Sequence, residues 1–331
     1  MSSASDRPFR IDGPQYSKWS EKIFHELRQG RVDALHVTAT YHEDFRETVE
    51  RLADWNRLFE RHSDLLIPGR RAADVVKARQ TNRTAIFMGF QNASPIEDDI
   101  GLVEILHQLG GRFMQLTYNN QSLLGAGCYE AHDAGITRMG REVIAEMNRV
   151  GMAIDMSHSA ERTTLETIAL SKRPVCISHA NPSSWHPVAR NKSDAVLKAL
   201  GQSGGMLGFS LYPLHLKGGS ACTLDDLTAM IARTADLMGI DHIGMGSDYC
   251  QDQPDRIIEW MRNGRWTKGG TVTPGLGKPV FPPLLSWFQS NLDWDGIEAA
   301  LLRRGFSAGE TGKILGGNWY DYFRRSFSPE A

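Results

Sequence analysis

The chain has 331 residues, of which 41% are apolar, and its formal net charge at pH 7 is −2. This size can supply one large core, and the absence of any block of like charge argues against nucleic acid and anionic membranes as partners. No apolar run is long enough to span a membrane, and residues 1–13 lack the apolar stretch of a secretory signal. The cysteines are widely spaced, which favours reduced thiols and a cytoplasmic protein: Cys128, Cys176, Cys222 and Cys250.

Short apolar runs alternate with segments of helical composition along the chain. Strands are predicted at residues 9–12, 32–39, 84–90, 112–117, 152–156, 175–177, 205–211 and 242–246. Helices are predicted between them. In one of these helices, residues 223–238, Thr223 and Asp226 form a capping box, and Gly151 is predicted to end another.

This alternation predicts an α/β fold, a (β/α)8 or TIM barrel that forms a single domain over residues 1–331 with a C-terminal helical extension. An open doubly wound sheet is the alternative. No glycine-rich nucleotide-binding loop supports that alternative.

Two histidines follow consecutive predicted strands. Strand 152–156 runs into Ser157-His158, and strand 175–177 runs into Ser178-His179. Because one helix joins these strands, they should lie side by side in parallel, with both histidines at the carboxyl edge of the sheet. Imidazoles in this position are suitable ligands for zinc, iron or nickel. The alternative is a pair of packed, hydrogen-bonded histidines.

Asp248 follows the glycine-rich end of the eighth strand, GMGS. With His158 and His179 it would hold one divalent ion, which would lower the pKa of a bound water to about 7 or polarise a carbonyl. Asp248 is alternatively a general base, or simply a helix N-cap or turn residue.

Other candidates follow the third, fourth and sixth strands. Arg190, in the loop PVARNKSD, is a candidate for bidentate binding of a substrate carboxylate, and Tyr118 is a candidate donor to a developing oxyanion. Gln91 and Asn119 are predicted to contact the substrate. The alternatives are a solvated arginine and a packed tyrosine. Three loop histidines are predicted to be solvated: His132, His186 and His215.

Five segments carry a resemblance to a known family: GREVIAEMNRVGMAIDMSH, RPVCISHA, ARNKSD, DHIGMGSDY and ILGGNW. With these motifs the chain resembles the membrane (renal) dipeptidase family, metallopeptidase family M19, over nearly its whole length. The resemblance implies an amidohydrolase-like (β/α)8 barrel, usually a homodimer, that hydrolyses dipeptides at a two-metal site. It also implies that His158 and His179 bind the second metal, that Asp248 is the active-site aspartate, and that Arg190 binds the substrate carboxylate.

The chain departs from the family where the first metal binds. The family's first strand ends in IDG-His-x-Asp, but here IDG is followed by Pro14, Gln15 and Tyr16. Where the family has a glutamate that bridges both metals, this chain has Gln91. Where the family has a histidine after the fourth strand, this chain has Tyr118. Two dications about 3.5–4 Å apart need negative charge around them, which proline and neutral glutamine do not supply.

We therefore expect at most one divalent metal ion, bound by His158 and His179, with Asp248, Gln91 or water completing the ligand shell. Zinc is favoured, and iron and manganese are alternatives. Ordinary binuclear dipeptidase activity should be weak or absent.

The sequence predicts a metal-dependent hydrolase that acts on an amide or peptide-like C–N bond of a small carboxylate-bearing substrate. One alternative is a mononuclear metal enzyme of another class, such as a lyase or an iron oxygenase with a facial triad of two histidines and a carboxylate. The other is a metal-free relative that only binds a ligand. The pocket walls are predicted in loops 123–137, 212–224 and 250–280, where Trp260 and Trp266 form either a lid or a surface loop.

Overall fold

The computed structural model describes residues 7–264 and 279–327. Within these residues the strands, in chain order, are β1 (Ile11–Gln15), β2 (Ala34–Thr40), β3 (Leu66–Gly69), β4 (Thr84–Phe90), β5 (Gly111–Gln115), β6 (Ala153–Asp155), β7 (Cys176–Ala180), β8 (Met206–Phe209) and β9 (Ile243–Met245). Eight of them pair in parallel in the order β1-β2-β4-β5-β6-β7-β8-β9, and β3 pairs with β4 outside this path. The result is the predicted barrel.

Helices connect the strands and cover the outside of the barrel. They are α1 (Glu21–Gln29), α2 (Phe45–Arg61), α3 (Ala73–Gln80), α4 (Gly101–Gln108), α5 (Arg138–Val150), α6 (Glu161–Leu170), α7 (Asp194–Gln202), α8 (Leu224–Met238), α9 (Arg256–Asn263), α10 (Trp294–Arg304), α11 (Ala308–Gly312) and α12 (Asn318–Ser326). The capping box predicted at Thr223 and Asp226 is present, and Gly151 ends α5 in the left-handed conformation with φ 79°. Both helix boundaries follow from these local signals.

The barrel closes between β1 and β9, where the pairing is sparse. Gln15 and Tyr249 form an isolated parallel bridge, and the backbone N–H of Tyr16 donates to the Tyr249 carbonyl at 2.9 Å. The first strand was predicted at residues 9–12, and this end was wrong, because β1 continues to Gln15. The pairing register shifts between Asp12 and Pro14, and such an irregularity tolerates a proline that has no N–H for the ladder.

The prediction also missed β3. This strand has only four residues, one of them Pro68, and it pairs with β4 alone. A run this short with a proline inside it gives no periodic signal, so its existence depends on the tertiary contact with β4.

The barrel interior is apolar at the amino ends of the strands. One cluster of buried side chains from β1, β4, β5 and β8 packs against the C-terminal helix α12, and it includes Ile11, Phe87, Phe113, Met206, Trp319 and Phe323. The larger cluster lies between the outer faces of the strands and the helices. The amino-terminal end is therefore closed by apolar packing, which leaves the opposite end for polar groups.

Glycines allow three strands to approach β7 directly behind the predicted site. A Cβ on Gly13, Gly208 or Gly246 would lie 2.7, 2.0 or 1.9 Å from the carbonyl oxygen of Ser178. This oxygen immediately precedes His179 in the chain. The close approach fixes the strand that carries His179 against its neighbours.

His36 occupies the barrel interior beside another glycine, Gly89. A Cβ on Gly89 would lie 1.8 Å from His36 Nε2, and the imidazole stacks on Phe113 with ring centroids 4.1 Å apart. Neither ring nitrogen has a hydrogen-bond partner among the described residues, and burial lowers the pKa of His36 to about 3. The ring is therefore neutral and held by packing.

The Gly89→Ala substitution should force this imidazole out of place and lower the free energy of unfolding by about 3 kcal/mol. Urea denaturation monitored by circular dichroism would measure the loss. Adding His36→Ala should make the double variant more stable than Gly89→Ala alone, because the new methyl group then has space. A double variant that is no more stable than Gly89→Ala would contradict the steric explanation.

Candidate active site

A cavity of about 430 Å³ opens at the carboxyl ends of the barrel strands. The structure brings six of the predicted site residues to its lining: Gln91, Tyr118, Asn119, His158, Arg190 and Asp248. The seventh, His179, is fully buried and contacts His158, which lines the cavity. All seven residues therefore lie at one cavity or in contact with its lining.

The two histidines meet through their ring nitrogens. His158 Nε2 lies 3.0 Å from His179 Nε2, and the ring centroids are 5.0 Å apart. Burial, reinforced by the positive charge of Arg190, lowers the pKa of both imidazoles well below the usual value. Both rings are therefore neutral at physiological pH.

Hydrogen bonds on the far side of each ring determine which nitrogen carries the proton. His158 Nδ1 lies 2.7 Å from Asn119 Oδ1, so it donates to that oxygen. His179 Nδ1 lies 2.8 Å from Ser178 Oγ, whose own proton goes to Asp155 at 2.5 Å, so this nitrogen also donates. Each Nε2 is left with a lone pair.

This hydrogen-bond network ends at the carboxylate of Asp155, a residue to which the sequence analysis assigned no role. Its carboxylate accepts hydrogen bonds from the backbone N–H and the hydroxyl of both Ser157 and Ser178, at 2.5 to 3.0 Å. Asp155 thereby orients the serine that orients His179. Because side chains alternate along a strand, residues 155 and 157 lie on the same face. This spacing was the signal in the sequence that the two side chains could interact.

Two lone pairs 3.0 Å apart repel each other unless a cation lies between or beside them. A shared proton is disfavoured, because burial lowers the pKa of both rings. The donor chemistry of the pair therefore fits a metal ion, and the outer hydrogen bonds are of the kind that orient histidine ligands. The fit extends to two ligands only. Within residues 7–264 and 279–327, no three His, Cys, Asp or Glu side chains form a group that could hold a metal ion.

Among the described residues Asp248 is not grouped with the two histidines, so its part as a third metal ligand stays a prediction. Its carboxylate lies among weakly acidic side chains and interacts electrostatically with Tyr41, Tyr118 and Cys250. Burial raises the pKa of Asp248 to about 7, despite the opposing effect of Arg190. Its backbone is left-handed, with φ 54°, and such backbone strain often accompanies functional positions.

Arg190 is buried beneath the cavity and is not a solvated loop residue. Its Nη1 donates to the Ser157 carbonyl, and its Nη2 donates to the His179 carbonyl at 3.0 Å. These bonds tie the guanidinium to the ends of both histidine-bearing strands. Arg190 also lines the cavity, so its positive charge faces any ligand there.

A family model for membrane dipeptidase, peptidase family M19, matches residues 18–261. The chain belongs to the membrane dipeptidase family. Dipeptidase tcpJ from Claviceps purpurea is 26% identical over 303 residues, which cover 91% of this chain and 64% of the relative. The chain spans 58% to 64% of the length of three curated relatives.

Solved structures support the fold. The crystal structure of an amidohydrolase from Pseudomonas aeruginosa is 37% identical with a TM-score of 0.92, and the match covers 98% of this chain and 97% of that chain. Dipeptidase AC, a metallopeptidase of family M19, is 18% identical with a TM-score of 0.81, and the match covers 97% and 99% of the two chains. The predicted family and the predicted amidohydrolase-like barrel are confirmed.

Aromatic rings occupy the positions where this member of the membrane dipeptidase family lacks the expected ligands of the first metal. The ring of Tyr16 packs edge-on against Tyr41 at 4.8 Å, and Tyr41 packs edge-on against Tyr118 at 5.1 Å. Tyr118 in turn stacks on His158 at 4.1 Å. The Nε2 of Gln91, at the position where the resemblance implies a bridging glutamate, donates to Thr38 Oγ1 at 2.7 Å. This part of the site is neutral and packed.

The remaining walls come from residues 128–130 after β5, residues 188–189 after β7, the loop after β8, Cys250 and α9. Three residues of the α9 segment line the cavity, namely Ile258, Met261 and Arg262, and Trp260 packs edge-on against His42 at 5.5 Å. Trp266 lies outside the described residues, and lid closure stays a prediction. The prediction that His215 is solvated was wrong, because it is buried and its Nδ1 bonds to Ser210 Oγ at 2.8 Å. No helix among the described residues is long and apolar enough to cross a membrane.

Proposed function

We propose that this chain hydrolyses an amide or peptide-like C–N bond in a small carboxylate-bearing molecule, using one divalent metal ion bound by His158 and His179. The observation that carries the proposal is the convergence of the two Nε2 lone pairs, with both Nδ1 atoms engaged elsewhere. Membership of the membrane dipeptidase family supports the hydrolytic reaction class. Zinc is the favoured ion, because imidazole nitrogens are among its ordinary ligands, with iron and manganese as alternatives.

The ion would supply Lewis acidity and a water of lowered pKa. The chain's own residues perform the remaining work. Arg190 uses two N–H groups on backbone carbonyls, which leaves other donors of its guanidinium for the substrate carboxylate. Gln91 and Asn119 line the same cavity and contact the substrate.

Asp248 moves the proton in this proposal. With a pKa raised to about 7, its carboxyl group exchanges protons readily near neutrality. One oxygen takes a proton from water as the water oxygen bonds to the carbonyl carbon. The proton then passes to the leaving nitrogen as the C–N bond breaks, and the products are a carboxylic acid and an amine. Tyr118 donates to the developing oxyanion.

The alternatives are weakened by particular contacts. A facial triad for an iron oxygenase requires a carboxylate beside both histidines, and among the described residues Asp248 does not form a group with them. A ligand-binding protein without metal would have no use for two opposed imidazole lone pairs.

The test is metal content together with turnover. Protein purified without added metal, then loaded with Zn, Mn or Fe, should hold about one equivalent by plasma mass spectrometry. The loaded protein should cleave members of a panel of dipeptides and N-acyl amino acids, and the matching compounds without a carboxylate should be poorer substrates. No bound metal under any condition, or no cleavage of any amide with metal bound, would overturn the proposal.

Three further properties belong to this proposal. The four cysteines are all free thiols, which supports a cytoplasmic, reducing location. A homodimer is proposed from the family resemblance, and size-exclusion chromatography with light scattering would measure it. One domain over residues 1–331 should unfold in a single thermal transition.

A further inference from the structure

The hydroxyl group of Tyr41, which follows β2, has no hydrogen-bond partner among the described residues. Only 1% of the side chain is exposed, and it lines the cavity. An unpaired buried hydroxyl costs roughly 1–3 kcal/mol, and native structures retain few such groups. Because Tyr41 also lines the cavity, a ligand bound there is the candidate partner of its hydroxyl.

The ring of Tyr41 contacts two other tyrosines edge-on. Tyr16 packs against it at 4.8 Å with an interplanar angle of 89°, and Tyr118 packs against it at 5.1 Å and 75°. Edge-to-face contacts with two neighbouring rings restrict rotation of the Tyr41 ring. The phenol oxygen is therefore held in position before any ligand arrives, which lowers the entropy cost of binding.

The surroundings of the hydroxyl determine what it can recognise. Burial raises the pKa of Tyr41 well above its usual value, and the nearby groups Tyr118, Cys250, Tyr16 and Asp248 raise it further. The phenol therefore keeps its proton and acts as a donor. A substrate carboxylate beside Asp248 would be repelled, whereas a carbonyl oxygen carries only partial charge and fits this position.

We propose that the Tyr41 hydroxyl donates a hydrogen bond to the carbonyl oxygen of the scissile amide, and to the oxyanion that this oxygen becomes. Tyr118, whose side chain lines the same cavity, supplies a second phenol donor. In the proposed function Arg190 binds the substrate carboxylate, so the two contacts together orient the substrate. The inference rests on the proposed amide hydrolysis and specifies how that substrate is recognised.

The test compares Tyr41→Phe with a matched control, Tyr322→Phe. Tyr322 is also fully buried, but its hydroxyl donates to the Pro174 carbonyl at 3.1 Å. Tyr41→Phe should leave the melting temperature unchanged or raise it, because no protein partner is lost. Tyr322→Phe should lower it, because the Pro174 carbonyl loses its donor.

Binding is measured by calorimetry on the zinc-loaded protein, with a phosphinate mimic of Ala-Ala as the probe. Tyr41→Phe should bind this probe about 10-fold more weakly, equivalent to about 1.4 kcal/mol, and Tyr322→Phe should bind it like the wild type. On a cleaved dipeptide, Tyr41→Phe should lower kcat/KM by about 10-fold to 100-fold.

The failures are distinguishable. A wild-type protein that neither binds the phosphinate nor cleaves any amide overturns the proposed function and, with it, this inference. A wild type that binds and cleaves, with Tyr41→Phe unchanged in both, overturns this inference alone. A Tyr41→Phe variant that is destabilised like Tyr322→Phe, or that does not fold, shows that the hydroxyl has a partner within the protein and also overturns the inference.

Discussion

Replacing His179 by alanine is expected to abolish metal binding and to lower kcat/KM by at least about 1000-fold. His179 supplies one of only two nitrogen ligands in the proposed site, so its loss leaves His158 alone, and one imidazole does not hold a divalent ion against solvent. Metal stoichiometry by plasma mass spectrometry should fall from about one equivalent to nearly none. The same result is expected for His158→Ala.

A second variant distinguishes loss of the metal-binding imidazole from loss of the hydrogen bond that orients it. Ser178→Ala leaves both imidazoles in place but removes the hydroxyl that accepts from His179 Nδ1. Loss of such an outer hydrogen bond typically weakens metal affinity by about 10-fold to 100-fold. The surface histidine His25, half exposed on α1, should tolerate alanine without change in metal content. Full metal binding by His179→Ala would place the ion elsewhere and contradict the two-histidine site.

The sequence predicted the barrel and the histidine pair because both depend on local order along the chain. Apolar runs alternate with helical segments, and consecutive parallel strands are neighbours, so His158 and His179 had to meet at one edge. Asp248 lies at the same cavity, and its part as a third ligand stays a prediction. A strand end determines which cavity a side chain enters, but not which neighbours it contacts inside it.

Other features of the site could not be predicted from the sequence, because they also depend on contacts between distant parts of the chain. Tyr41 follows β2, and nothing in the sequence distinguishes it from an ordinary buried tyrosine. Only the three-dimensional contacts show that its hydroxyl has no partner among the described residues. His215 lies in the loop after β8, yet it is buried: its Nδ1 bonds to Ser210 Oγ, and the side-chain amides of Asn181 and Asn191 donate to its carbonyl. The network behind His179 joins side chains from two strands, and sequence alternation gives the face of each but not the pairing.

The Asp248→Asn substitution is expected to lower activity and raise stability in the same protein. The amide cannot take or give the proton, so kcat/KM should fall by about 100-fold to 10,000-fold. In the wild type, kcat/KM should rise with pH as Asp248 ionises. A cation bound at the neighbouring histidines favours ionisation, so this rise should lie at or below about pH 7. The residual activity of Asp248→Asn should not show this rise of kcat/KM with pH.

The sign of the stability change follows from the raised pKa. The Asp248 carboxyl of the unfolded chain titrates near its ordinary value of 3.8, and that of the folded metal-free chain near 7. Between these values the folded chain holds a proton that the unfolded chain has lost. The contribution of Asp248 to the free energy of unfolding is therefore fully present below about pH 4 and is lost as pH rises through about 7. The loss is at most on the order of 4 kcal/mol.

Because the asparagine side chain of the variant is neutral at every pH, Asp248→Asn should match the wild type near pH 4 and exceed its free energy of unfolding by a few kcal/mol near pH 8. Urea denaturation of metal-free protein at both pH values measures the difference. Asp54→Asn, at an exposed position on α2, is the matched control and should show no such divergence. Equal stability of Asp248→Asn and wild type at the higher pH would mean that the carboxylate is already compensated in the cavity. Asp248 would then titrate like a solvated acid, and the proton-transfer role would lose its physical basis.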